Sequence, residues 1–310
     1  MKKLLGRLLL ALLFLAGLAL LLYPMISDLW NQRRSDQLIR GYTQQFIQGP
    51  QRDYTEWFQR ADAYNAALAG KGVPDAFAVI SPEEDADYLS QLSLSADGVM
   101  AYIRIPRISV SLPIFHGTSA EVLEKGVGHL QGSALPVGGE DTHCVLSAHR
   151  GLPSAALFTD LDMLQPGDHF YIYVLDRVLA YEVDQILTVD PDHTRDLDVI
   201  PGQDLVTLVT CTPYGVNTHR LLVRGHRVEY VRQAEEDEGQ NTVSSVHTRY
   251  GLWVAVGLAA TAAIILLLLL IRRLTGDRGG KRLAAKTAPG QTNTDREGRG
   301  LRNGENQPKT

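Results

Sequence analysis

Cysteine is nearly absent from this chain: Cys144 and Cys211 are the only two in 310 residues. Two thiols are too few for a disulfide framework, and their separation matches no metal-ligand spacing, so neither a metal nor a cofactor is expected. One bridge between them and a solitary reactive cysteine served by a distant histidine are both compatible with the count. An excess of positive charge is missing as well. The net charge of −5 gives no electrostatic footprint for a nucleic-acid partner. Apolar residues, in contrast, are concentrated in two long runs near the two ends.

The first run follows Lys2, Lys3 and Arg7 and continues uncharged from Leu8 to Tyr23. Counted from Leu4 it holds about 20 residues and spans roughly 30 Å as a helix, the thickness of a bilayer core. A cleaved signal peptide competes with this reading, but the run ends at Leu20-Leu-Leu-Tyr-Pro24 without a small-x-small site, which favours an uncleaved anchor. The second run, Leu252 to Ile271, opens beside Tyr250 and Trp253 and stops at Arg272-Arg273. Basic residues flank both runs on their outer ends, so the positive-inside rule puts both termini in the cytoplasm and everything between the spans outside the cell. After Gly276 the tail is polar and basic and is expected to be disordered.

Between the spans, Leu38/Tyr42/Phe46 and Trp57/Tyr64/Leu68 have helical spacing, broken at Gly49-Pro50. They predict two amphipathic helices leading from the membrane to the main domain. From Gly70 a stretch of about 25 residues reads as a loop, and loops of that length are functional lids or linkers. From Val99 the pattern turns β-rich: Val99–Ile105, Ile108–Phe115, Thr142–Ala148, a hairpin of His169–Val174 with Val178–Val189 about Leu175-Asp-Arg177, and two final strands in Leu205–Gly225. Short helices are expected at Ala120–Lys125, behind Ser119, and across Pro153–Met163. Seven or eight short strands separated by Gly/Pro turns argue for a closed or nearly closed β-barrel.

The chain is organised around Leu205–Gly225. A β-branched run reaches Cys211, breaks at Pro213 and Gly215, and returns as a strand carrying Arg220. This presents a thiol at one strand end with a guanidinium on the facing strand. A free thiol with a pKa near about 8.5 needs a base or a cation to react at neutral pH. Among nine histidines, His149 closes a strand and precedes Arg150-Gly151. His219 adjoins Arg220, and neighbours on a strand point to opposite faces, so an Arg220 that faces the thiol leaves His219 turned away. Cys144, inside a strand, is expected to be structural and inert. His116, His129, His143 and His226 carry no assigned chemistry.

These residues carry a resemblance. Thr207-Leu-Val-Thr-Cys211, with Arg220 nine residues on and His149-Arg-Gly-Leu-Pro153 starting 62 residues upstream, resembles the signature of the sortases, cysteine transpeptidases of Gram-positive bacteria. Ile103-Arg-Ile-Pro106, Leu112–Thr118, Gly126–His129, Leu135–Gly139 and Thr210–Leu222 resemble the class C, pilin-polymerising members. The resemblance implies a closed eight-stranded barrel in which Cys211 is the nucleophile, His149 the general acid/base and Arg220 the oxyanion and substrate stabiliser. It implies cleavage of an LPxTG-type sorting signal between Thr and Gly, a thioacyl intermediate on Cys211, and transfer to a lysine amine of the next pilin. The partners are then pilin subunits and the lipid bilayer. A housekeeping-type sortase, attaching surface proteins to cell-wall peptide amines, is the alternative. Class C members also carry an Asp-Pro-aromatic lid; Asp75-Ala76-Phe77 matches it with Ala76 in place of proline, so Asp75 would pair with Arg220 and Phe77 would cover Cys211.

The expected organisation is an anchor at 1–25, a helical stalk at 26–70, a lid loop at 71–97 and a catalytic barrel at 98–235. A linker at 236–250, a second span at 251–271 and a basic tail at 272–310 complete it.

Overall fold

The computed structural model describes residues 2–50, 52–68, 86–240, 242 and 251–267. Helix α1, Lys2–Tyr42, is 41 residues long with Pro24 inside it. At 1.5 Å per residue it reaches about 60 Å, enough to cross a bilayer and continue well beyond it. Its apolar N-terminal half is exposed, Leu12 at 65% and Leu13 at 71%, and among the described residues it is the one helix long and apolar enough to span a membrane. The anchor and the first stalk helix are thus one continuous element. A short π-helical turn, Thr43–Ile47, ends it, and α2 follows at Thr55–Ala67. Asp53 accepts a hydrogen bond from Thr55 N at 2.9 Å, which satisfies an orphan donor of the first turn of α2.

A short helix, α3, at Ala86–Ser90 occupies part of the stretch expected to be loop. Its Tyr88 is completely buried, and the hydroxyl bonds His129 and accepts from Gly117 N, which is why this segment is not free loop. Asp75 and Phe77 lie outside the described residues.

The barrel strands are β1 (Val99–Ile105), β2 (Val110–His116), β3 (Val127–His129), β4 (Thr142–Ser147), β5 (His169–Val174), β6 (Arg177–Val189), β7 (Asp204–Thr212) and β8 (His219–Val228). They close in the order β1-β2-β3-β4-β7-β8-β6-β5. Helix α4, Ala120–Lys125, follows its Ser119 cap as expected. Strand β3 is not among the expected strands, since its middle residue is glycine; a Cβ on Gly128 would lie 2.4 Å from Gly117 O, so glycine there permits close backbone approach. The expected helix over Pro153–Met163 is only a 3-10 turn at Leu161–Met163. Leu157 takes a left-handed φ of 44°, and Ala156 N and Ser154 O are drawn off to Asp28 and Asn31 of α1, each at 2.8 Å.

Strand β1 is buried on both faces, since its outer face is covered by the stalk. Tyr42, Phe46, Tyr54 and Phe58 join the main core, Tyr42 hydroxyl bridges Met100 O and Leu175 N, and Tyr102 stacks on Tyr173 at 4.4 Å. Each such fully buried aromatic contributes about 1.5–3 kcal/mol. On the same side, α5 (Arg232–Gln240) crosses the expected domain–linker boundary at 235/236. It is held there by Glu235, 4% exposed, whose carboxylate meets Tyr173, Tyr230 and Arg104.

The chain divides into two units, Met1–Val254 and Ala255–Thr310. A sixth helix, α6 (Gly251–Leu267), is apolar and 17 residues long as described, with Ile264 and Leu266 exposed. It is shorter than the expected span, whose last residues, 268–271, lie outside the described set.

Candidate active site

Strands β4 and β7 are parallel neighbours, with Cys144 opposite Val206 and Ser147 opposite Val209. Their carboxyl ends therefore lie at the same end of the barrel. Along β7, Val206 and Leu208 belong to the main core, whereas Val209 packs with Val145, Leu130, Leu197 and Leu222 in a second cluster on the other face. Cys211 follows Val209 by two residues and so shares that second face. Cys144 shares the main-core face and is 3% exposed; burial pushes its thiol pKa well up. Both cysteines are free, which removes the bridge left open by the count.

Antiparallel β8 places Arg220 directly opposite Cys211, with Nη1 donating to Sγ at 3.6 Å. Thr212 pairs with His219, which turns instead toward Asp190, 3.4 Å away, and is not part of this constellation. Past Ser147 the contact between β4 and β7 persists: Ala148 N donates to Val209 O at 3.1 Å, and Thr210 Oγ1 donates to Ala148 O at 2.8 Å. His149 is the next residue, at the end of β4 beside the end of β7. Its backbone is fixed by Phe158 N, which donates to His149 O at 3.1 Å. The three residues singled out in the sequence are thus delivered by three adjacent strand ends.

Burial lowers the pKa of His149, and the nearby charge of Glu124 acts in the opposite direction. A half-buried imidazole that is neutral at pH 7 is able to accept a proton, and the charge of Glu124 helps it carry one. A permanently charged guanidinium against a thiol favours the thiolate and remains available to a developing oxyanion. Such an arrangement suits acyl transfer through a thioester. Among the described residues no cluster of His, Cys, Asp or Glu is placed to hold a metal.

A family model, the sortase domain, matches residues 103–228. Sortase D of Bacillus subtilis is 30% identical over 166 residues, covering 53% of this chain and 81% of that protein. The chain belongs to the sortase family. As a sortase it is a cysteine transpeptidase. Its solved neighbours include class C enzymes. Sortase C-1 from Actinomyces oris is 46% identical, with 57% of this chain and 100% of that chain covered and a TM-score of 0.55. Streptococcus pneumoniae sortase C is 40% identical, covering 64% and 97%, with a TM-score of 0.56.

One residue of this sortase's site had no assigned role in the sequence. Arg150 reaches across to Thr212, its Nη1 donating to Oγ1 at 3.0 Å. The only sequence signal was its place in the His149-Arg-Gly-Leu-Pro153 segment.

Proposed function

We propose that this sortase polymerises pilins, with Cys211 as nucleophile, His149 as general acid/base and Arg220 as the oxyanion and substrate stabiliser. The observation that carries the assignment is the cross-strand Cys211–Arg220 contact of 3.6 Å at the strand end adjoining His149. The neutral His149 takes the Cys211 thiol proton, the resulting thiolate attacks the Thr carbonyl carbon of an LPxTG-type Thr–Gly bond, and Arg220 donates to the oxyanion. The C–N bond breaks as the His149 imidazolium gives its proton to the departing amine, leaving a thioester. A lysine amine of the next pilin, deprotonated with the help of His149, then attacks; the thiolate leaves and an isopeptide bond remains. The class C assignment is supported by the 46% identity to Actinomyces oris sortase C-1 and by the Streptococcus pneumoniae sortase C, whose structure bears on pilin substrate specificity.

In this reading α1 anchors the enzyme with its N-terminus in the cytoplasm, α6 belongs to a second span, and the barrel faces outward. The stalk and tail keep the boundaries given above, the lid is confined to the part before α3, and the catalytic domain takes in α5, so that the linker starts after Gln240. Asp75 and Phe77 act as the lid: Asp75→Ala and Phe77→Ala should each raise thiol labelling of Cys211 and peptide turnover, and unchanged rates would end that idea.

The deciding experiment compares wild type with Cys211→Ala on sorting-signal peptides, with and without a lysine-bearing acceptor. Wild type should cleave and transfer, and Cys211→Ala should do neither. Transfer to cell-wall peptide amines in preference to pilin lysine would identify a housekeeping-type enzyme. A product unchanged by any amine would identify a hydrolase.

A further inference from the structure

The residue after His149 takes no part in the reaction scheme, yet its side chain is built into the site. Arg150 is 9% exposed at its side chain. One arm of its guanidinium donates to Thr212 Oγ1 at 3.0 Å, and the other pairs with Asp162 on the 3-10 turn at Leu161–Met163. The Nε is buried with no hydrogen-bond partner among the described residues. A buried cation held with a donor unsatisfied is costly, which sets Arg150 apart from a side chain that merely fills space.

The pattern of ties supplies that role. Thr210, the residue before Cys211, donates to the carbonyl of Ala148, the residue before His149, at 2.8 Å. Thr212, the residue after Cys211, accepts from Arg150, the residue after His149. Nucleophile and histidine are therefore bracketed by two cross-links, one below and one above. The lower link lies beside the backbone contact between β4 and β7. The upper one lies past the end of β4, where side chains hold the segment. Gly151 N, bonded to Thr159 Oγ1 at 3.2 Å, and the Asp162 contact tie Arg150's own loop in turn.

We propose that Arg150 is a positioning residue that sets the approach of the His149 imidazole to the Cys211 thiol by clamping Thr212. Arg150 touches neither substrate nor the reacting atoms in this scheme. Its effect falls on the rate of the acyl-transfer steps and not on peptide binding. The inference rests on the assignment of Cys211 and His149 above.

The test uses the full-length protein in detergent with a sorting-signal peptide and a lysine-bearing acceptor. The variants are Arg150→Met, Arg150→Lys, Thr212→Val, the Arg150→Met/Thr212→Val double and Cys211→Ala. Misplacement of catalytic groups by about 1 Å costs up to about 100-fold, so Arg150→Met should lower kcat by about 10- to 100-fold with KM nearly unchanged. Thr212→Val, which cuts the same bond from its other end, should lower kcat in the same way. The double variant should be no worse than Arg150→Met, because both changes remove one interaction. Arg150→Lys, which retains one charged donor, should recover part of the rate. Wild-type kcat in Thr212→Val, multiplicative losses in the double variant, or a loss confined to KM would each overturn the proposal. Should Arg150→Met fail to fold, Thr212→Val and Arg150→Lys decide it. Turnover by Cys211→Ala would instead overturn the active-site assignment, whereas an inactive Cys211→Ala beside fully active Arg150 and Thr212 variants overturns the role of Arg150 alone.

Discussion

Mild acid should weaken the barrel through one buried imidazole, that of His129. The ring is wholly buried on β3, with Nε2 2.8 Å from Ala134 O and Nδ1 2.9 Å from the Tyr88 hydroxyl. A carbonyl only accepts, so Nε2 carries the proton, and Nδ1 is an acceptor that shares the single Tyr88 hydroxyl proton with His129 O, 3.0 Å from that hydroxyl. A second proton on Nδ1 would turn the Tyr88 hydroxyl, which already accepts from Gly117 N, from donor to acceptor at that nitrogen, and His116, whose ring also contacts Tyr88, adds like charge. Burial, the larger cause, pushes the His129 pKa from 6.5 down to about 4. A folded pKa below the unfolded one means that the unfolded chain binds the proton more readily. The stabilisation is therefore complete above pH 6.5 and is lost as pH falls toward 4. At 1.36 kcal/mol per pKa unit the full loss is about 3 kcal/mol, of which about 2 kcal/mol has gone by about pH 5. Denaturant unfolding of the full-length protein in detergent, from about pH 7.5 to about pH 5, measures this against His129→Gln. That variant keeps a neutral amide near the same partners and cannot titrate. Wild type should lose about 2 kcal/mol more than the variant over that range. Subtracting the two curves removes the carboxylates and His143, whose burial also lowers its pKa. Parallel curves would refute the argument. The functional interest lies in Tyr88, which holds α3 at the C-terminal end of the 71–85 part of the expected lid.

Three further outcomes follow from packing. A thiol reagent should modify the partly exposed Cys211 and spare Cys144 in the folded enzyme; labelling of Cys144 without denaturant would contradict its burial. Replacing Glu235 by Ala strands the hydroxyls of Tyr173 and Tyr230, bonded at 2.7 and 2.9 Å, and one arm of Arg104. Because Arg104 is half exposed, the cost should fall at the low end for a broken buried pair, about 3 kcal/mol in denaturant unfolding, and a loss near zero would show α5 to be dispensable. Gly225→Ala would put a Cβ 2.6 Å from Phe170 Cε1, so the barrel should lose about 1–3 kcal/mol from overpacking, measured the same way, unless Phe170 finds another rotamer at no cost.

The strands that carry the site were legible because their signals are local. The β-branched run into Cys211, the break at Pro213 and Gly215, and the return through Arg220 appear in the fold as β7, its loop and β8. Elsewhere the deciding contacts are distant. The apolar run ends at Pro24 in the sequence, yet α1 passes through it, because contacts beyond it by Asp28, Asn31 and Tyr42 hold the helix along the barrel. The apolar spacing of Pro153–Met163 suits a helix until α1 claims its backbone groups. Arg150 announced nothing, since its partner Thr212 is 62 residues away.

The two halves of the site are consequently held by different means. Cys211 and Arg220 face each other across a continuous antiparallel ladder that runs back to Leu205 and His226, so their separation is set by backbone hydrogen bonds. No single side-chain change outside the pair should alter it much. His149 stands beyond the last rung of β4, where the backbone ladder has ended and the hydroxyl of Thr210 and the guanidinium of Arg150 take over. The rigid pair fixes where the acyl group is bound and its oxyanion stabilised, while the looser arm governs proton transfer to and from the amine. Substitutions in the loop from Leu152 to Met163 should therefore slow amine departure and amine attack, read as turnover of a sorting-signal peptide with and without a lysine-bearing acceptor.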